Sequence, residues 1–153
     1  MKSDNPIKHF AFAFAIALLI YFVAYSSIEY RRTRKGPWQV TFKASSDGEP
    51  RIIVNQPSLG LTNVEIVFAG EVSALTNIPT TLRFSQPRQV PYEVPFGRCV
   101  FMDTTFLPGT LTLQLFGHEI ELLPRVMIID HQEQPWGSEG VFILNQAKTG
   151  SRR

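Results

Sequence analysis

Histidine changes charge near neutral pH and is the commonest nitrogen ligand for metals; beyond His9 this sequence holds only His118 and His131. Each stands beside carboxylates, Glu119 next to the first, Asp130 and Glu133 around the second. If the two predicted hairpin loops that carry them share one end of a domain, they make a surface metal site. The HxxxH-type spacing that seats two ligands together is absent, and solvated turn residues are the simpler reading of both histidines. Other chemistries find less. There is no Gly-x-Ser-x-Gly for serine hydrolysis, no glycine-rich loop ahead of a helix for phosphate, and no His-Glu-x-x-His. Cys99, the only cysteine, lies in the apolar run Cys99-Val100-Phe101-Met102 and reads as a small buried hydrophobe, with nothing local to support a nucleophile pair. A lone cysteine also excludes an internal disulfide. Glu119 and Glu121 alternate onto the outer side of a hairpin, as solubilising charges; a glycosidase pair needs a cleft and a set separation. No catalytic residue, metal or cofactor is expected.

The hairpin that positions these groups is the clearest local signal, running from Thr110 to Leu123. Leu111, Leu113 and Leu115 point one way, Gly117-His118 reads as a two-residue loop, and Ile120 and Leu122 follow. Pairing Phe116 with Glu119 sets Leu115 opposite Ile120 and Leu113 opposite Leu122, so both strands turn their apolar side chains to one face. The outer row is then Thr110, Thr112, Gln114 and Phe116 facing Glu119, Glu121 and Leu123. Phe116 and Leu123, together with Trp136, are the candidate partner surface.

The same alternation recurs along the chain. Trp38, Val40 and Phe42 alternate with Gln39, Thr41 and Lys43; Ser45 to Pro50 is a turn, and strands follow at Arg51–Asn55 and Val64–Phe68. A return strand from Glu71, then Thr80–Ser85, Val126–Ile129 and Val141–Leu144, complete the series. Pro87, Pro91 and Pro95 confine their segment to an edge or loop, because proline forfeits a ladder donor. No stretch after Pro37 has helical periodicity. The prediction is an all-β, compact antiparallel β-sandwich of Ig-like size with about seven to nine strands, preceded by one N-terminal transmembrane α-helix.

That helix is read from Phe10 to Ile28, which has no charged side chain; about 19 residues rise roughly 28 Å, close to the hydrocarbon thickness of a bilayer. The expected organisation is a tail over 1–9, a signal-anchor over 10–28, a basic juxtamembrane linker over 29–37, the sandwich over 38–145 and a polar tail over 146–153. Ala24-Tyr25-Ser26 offers a cleavage site, but the length of the run favours retention. Tyr25 and Tyr30 make an interfacial belt, and Arg31, Arg32, Arg34 and Lys35 meet headgroups. Residues 1–37 carry six Lys/Arg against two acids, about +4, and the rest of the chain about −2, although the whole is +2. The basicity therefore belongs to the membrane segment, and no nucleic-acid partner is expected. Two arguments on sidedness conflict. Four cations after the helix against two before it favour a cytoplasmic domain, whereas a short tail, one apolar helix and a β-rich domain is the layout of an exported signal-anchor protein. The adopted reading is single-pass in the cell membrane with an extracytoplasmic (periplasmic) domain.

On these residues the expected function is a non-enzymatic scaffold or interaction module in an envelope assembly, its partners the lipid bilayer and a protein or a second copy. The alternatives are a carbohydrate or small-ligand module using Trp136 or Trp38, and, further off, a metal-dependent hydrolase around His118 and His131.

Overall fold

The structure, a computed structural model, describes residues 6–73, 79–137 and 140–146. The chain divides into two units, Met1–Arg34 and Lys35–Arg153. The first holds one helix, α1 (Pro6–Thr33), of 28 residues with none buried and a mean hydropathy of 2.1 in its apolar window. It is long and apolar enough to cross a membrane. Proline opens it, where a missing N–H costs nothing, and Arg31 and Arg32 lie in its last turn, where cations suit the helix dipole. The helix continues five residues past Ile28, so the predicted linker over 29–37 is helical to Thr33. Gly36 at φ 74° and Pro37 then stop it.

The second unit holds strands β1 (Trp38–Ala44), β2 (Pro50–Gln56), β3 (Leu61–Ala69), β4 (Thr80–Phe84), β5 (Tyr92–Val94), β6 (Gly97–Asp103), β7 (Thr110–Leu115), β8 (His118–Leu122), β9 (Val126–Ile129), β10 (Gln132–Pro135) and β11 (Val141–Asn145). They form two sheets, ordered β11-β3-β2-β1-β4 and β10-β9-β8-β7-β6-β5. The second sheet is a meander of consecutive antiparallel neighbours; in the first, β11 runs parallel to β3, with Val141 beside Glu65 and Asn145 beside Ala69.

The expected antiparallel sandwich is present, with eleven strands in place of seven to nine. Two of the uncounted strands have plain reasons. β6 carries a register shift between Cys99 and Phe101 that breaks its alternation, and β10, Gln-Glu-Gln-Pro, has no alternation of apolar side chains. β5 forms an edge, as the prolines around it require. Glu71–Ser73 are not strand, so no return strand begins at Glu71; the part of that prediction over 74–78 lies outside the described residues, as do 1–5 and 147–153 of the two tails.

Trp38, Val40, Phe42, Ile52, Val54, Val64, Ile66 and Phe68 of one sheet face Cys99, Leu111, Leu113, Leu115, Ile120, Leu122 and Met127 of the other, all essentially inaccessible to solvent. We call proximal the end of the sandwich where Lys35–Pro37 lead into β1, and distal the opposite end. At the proximal end the Trp38 indole donates to the Gly109 carbonyl (3.0 Å) and lies 5.6 Å from the Trp136 ring, whose own N–H donates to Leu123 (2.8 Å). Buried Gln56 fastens the incoming chain. Its amide donates to the carbonyls of Gly36 (2.9 Å) and Pro37 (3.0 Å), and the Ser58 hydroxyl lies 2.8 Å from the Lys35 carbonyl.

Candidate functional site

The turns at the distal end surround a groove of about 580 Å³ lined by Phe96, Arg98, Gln114, Phe116, His118, Glu119, Asp130 and His131, among others. Its rim is unusual in its backbone. Among the described residues five that are not glycine have positive φ, and four of them, Phe96 (72°), Phe116 (50°), Asp130 (49°) and His131 (66°), line this groove. Each costs on the order of 1 kcal/mol, and three of the four sit in the two-residue hairpin turns 116–117 and 130–131, where positive φ is the usual geometry.

The β7–β8 turn shows how the strain is supported. It is Phe116-Gly117, with both φ values positive, the type I′ geometry that matches strand twist. The expected loop, Gly117-His118, is therefore displaced by one residue toward the N-terminus. Leu115 pairs with His118, Leu113 with Ile120 and Leu111 with Leu122; this two-residue slip preserves the inward face. Phe116 does not stand in the outer row. It is half-buried, its ring 5.2 Å from Phe68 and 5.4 Å from Phe96.

His118 is a strand residue, not a solvated turn residue. Its side chain is 7 % exposed, Nδ1 lies 2.6 Å from Asp130 Oδ2, and Nε2 lies 3.0 Å from the Asn145 carbonyl of β11. The other Asp130 oxygen accepts from the Glu119 N–H at 2.9 Å. A carbonyl only accepts, so Nε2 donates to it, while Nδ1 faces the carboxylate. An Asp–His pair orients a general base in many sites, but here the nitrogen that would meet a substrate is spent on the main chain. The pair staples the two sheets. His118→Ala is expected to cost about 2 kcal/mol, since it removes a buried side chain together with both of its hydrogen bonds, and to speed amide exchange in β11; urea denaturation and hydrogen exchange of the full chain in detergent check both.

His131 behaves differently, 84 % exposed with Nδ1 3.9 Å from Glu119 Oε1. Glu119, Glu121 and His131 bring one ligand atom each within 4.8 Å of one another, a set that suits a divalent cation with open positions. The cluster does not include His118, so the alternative of a metal site drawing on both histidines is not what the fold assembles among the described residues, although both line the groove. No protein-family model, curated protein or solved structure matches this chain.

The three residues of the predicted partner surface do not share a patch. Leu123 and Trp136 meet at the proximal end, each half-buried, while Phe116 is distal. Trp38, offered with Trp136 as an exposed aromatic platform, is 0 % exposed. The strand expected at Val141–Leu144 is present as β11; what the sequence did not reveal is its place in the sheet. It is the edge of its sheet, and Val141 and Ile143 on its outer side are 64 % and 65 % exposed. The alternation Val-Phe-Ile-Leu in an apolar run carried no sign of which side would stay uncovered.

Cys99 is buried as expected, its Sγ 3.4 Å from the Phe101 carbonyl. Burial pushes the thiol up from its ordinary value, and burial, then the Cys99 neighbour, push the Tyr92 phenol up as well. A raised folded value gives a contribution to stability that is complete below the unfolded pKa and is lost as pH climbs toward the folded one. Stability is therefore expected to fall above the ordinary thiol and phenol values, about 8.5 and about 10. Urea midpoints at pH 8 and pH 10.5 test this, and Cys99→Ala removes the thiol's share of the loss.

Proposed function

We propose that this chain is a single-pass membrane protein whose β-sandwich, on the extracytoplasmic side, is a non-enzymatic interaction module of an envelope assembly. The observation that carries the reading is the β11 edge. Sheet edges of natural proteins are blunted by Lys, Pro, bulges or a covering element, and β11 has neither Lys nor Pro while presenting Val141 and Ile143 to solvent. A strand of a partner, added along this edge, would satisfy its main chain and cover both side chains. The strained distal groove adjoins it through the Asn145 contact to His118.

The test compares the full chain with Val141→Lys/Ile143→Lys, both extracted in detergent. The expected result is a co-purifying protein present with the parent chain and lost from the variant, which still fractionates with membranes. A parent chain that purifies alone, or a variant that retains the same partner, overturns the reading. Protease protection of intact spheroplasts decides the sidedness. A second reading, divalent-cation binding on the groove rim, is favoured by the cluster of Glu119, Glu121 and His131; calorimetric titration with Zn²⁺ is expected to give heat that His131→Ala abolishes.

A further inference from the structure

The two ends of the sandwich differ in charge. Among the described residues, the proximal segments that join or lead into strands (35–37, 57–60, 85–91, 104–109, 123–125 and 136–137) carry Lys35, Arg88 and Arg125 and no carboxylate. The distal turns (45–49, 70–73, 95–96, 116–117 and 130–131) carry Asp47, Glu49, Glu71 and Asp130 and no lysine or arginine. The nearest proximal acid, Asp103 at the end of β6, is engaged in its own loop, accepting from the Thr105 N–H at 2.9 Å.

One proximal loop also ends in a large apolar side chain. Phe106, in the loop 104–109, is 61 % exposed. The loop is fixed at this end because Gly109 accepts from the Trp38 indole. The chain that arrives there has just left α1. The helix ends at Thr33 and the Lys35 carbonyl is already in contact with Ser58, so only Arg34 separates the two.

We propose that the proximal end docks on anionic headgroups of the bilayer that α1 spans, with Phe106 in the interfacial layer; this rests on the anchor reading above. Cations placed near an anionic leaflet are attracted to it, while the acidic distal turns are repelled. An exposed apolar ring held beside a bilayer loses its contact with water by burial at the boundary between headgroups and acyl chains. A tether of a single residue keeps this end, and not the other, within reach of the surface.

Bimane attached to Phe106→Cys or, as the distal control, to Asp47→Cys reports the docking in the full chain, because buried Cys99 stays unlabelled. The protein is reconstituted in phosphatidylcholine vesicles containing phosphatidylglycerol and a nitroxide-bearing lipid, and insertion is verified by flotation. The expected result is that the label at 106 loses more than half of its emission and the label at 47 none, with the effect at 106 weakened by high salt. If the protein floats but neither label is quenched, or both are, the docking is wrong and the anchor stands. If the protein does not float, both fall.

Discussion

Trp38→Ala is expected to lower folding stability by about 3 to 5 kcal/mol, against a total of about 5 to 15 for a domain of this kind. The side chain is 0 % exposed at the mouth between the sheets. Truncation leaves a cavity walled by residues already paired across sheets, which cannot collapse into it. It also strands the Gly109 carbonyl, which loses the indole donor at 3.0 Å, and removes the ring against which Trp136 packs at 5.6 Å. The ring pair adds about 1 kcal/mol beyond its buried area. Urea denaturation of the full chain in detergent, followed by far-ultraviolet circular dichroism, should show a lower midpoint with the slope retained. A loss below about 1 kcal/mol would mean that the proximal contacts are not what closes the sandwich.

Gly97→Ala is the second large effect, and it acts through backbone alone. A Cβ at this position would collide with the Gln114 carbonyl oxygen and stand 3.2 Å from the Leu115 Cα. Neither atom can rotate away, so β6 must part from β7 at the distal end, at a cost of about 3 kcal/mol or more. At Gly140 the added atom would meet only the edge of the Phe142 ring at 3.1 Å, which can turn, so Gly140→Ala is the mild comparison. Because Gly97 also lines the groove, its variant should lose any groove ligand along with stability. Midpoints from the same urea titrations separate the two.

The fold was legible where alternation is strict and hidden where it is not. Trp38, Val40 and Phe42 name the buried face of β1 without help, and the five apolar residues of the β7–β8 hairpin name theirs. The turn between them was displaced by one residue because a glycine-first rule for two-residue loops did not weigh Phe116, whose positive φ is sustained by packing against Phe68 and Phe96. The same local reasoning left His118 in solvent. Its partners, Asp130 and the Asn145 carbonyl, lie twelve and twenty-seven residues away, and only the docking of β11 brings the second of them near. The cluster of Glu119, Glu121 and His131 was half visible, since two carboxylates two residues apart on a strand share a side. The His131 ring joins them through a turn whose conformation no glycine announces.

The parallel seat of β11 has a consequence for how the molecule is made. The six strands of the β5–β10 sheet pair with their sequence neighbours and can zip together as they emerge from the ribosome. β3, by contrast, waits for Val141 to reach Glu65, a closure across most of the domain that is slow by its topology. Until then Val64, Ile66 and Phe68 belong to a strand with a raw flank, and a nascent chain held in that state is where misassembly would begin.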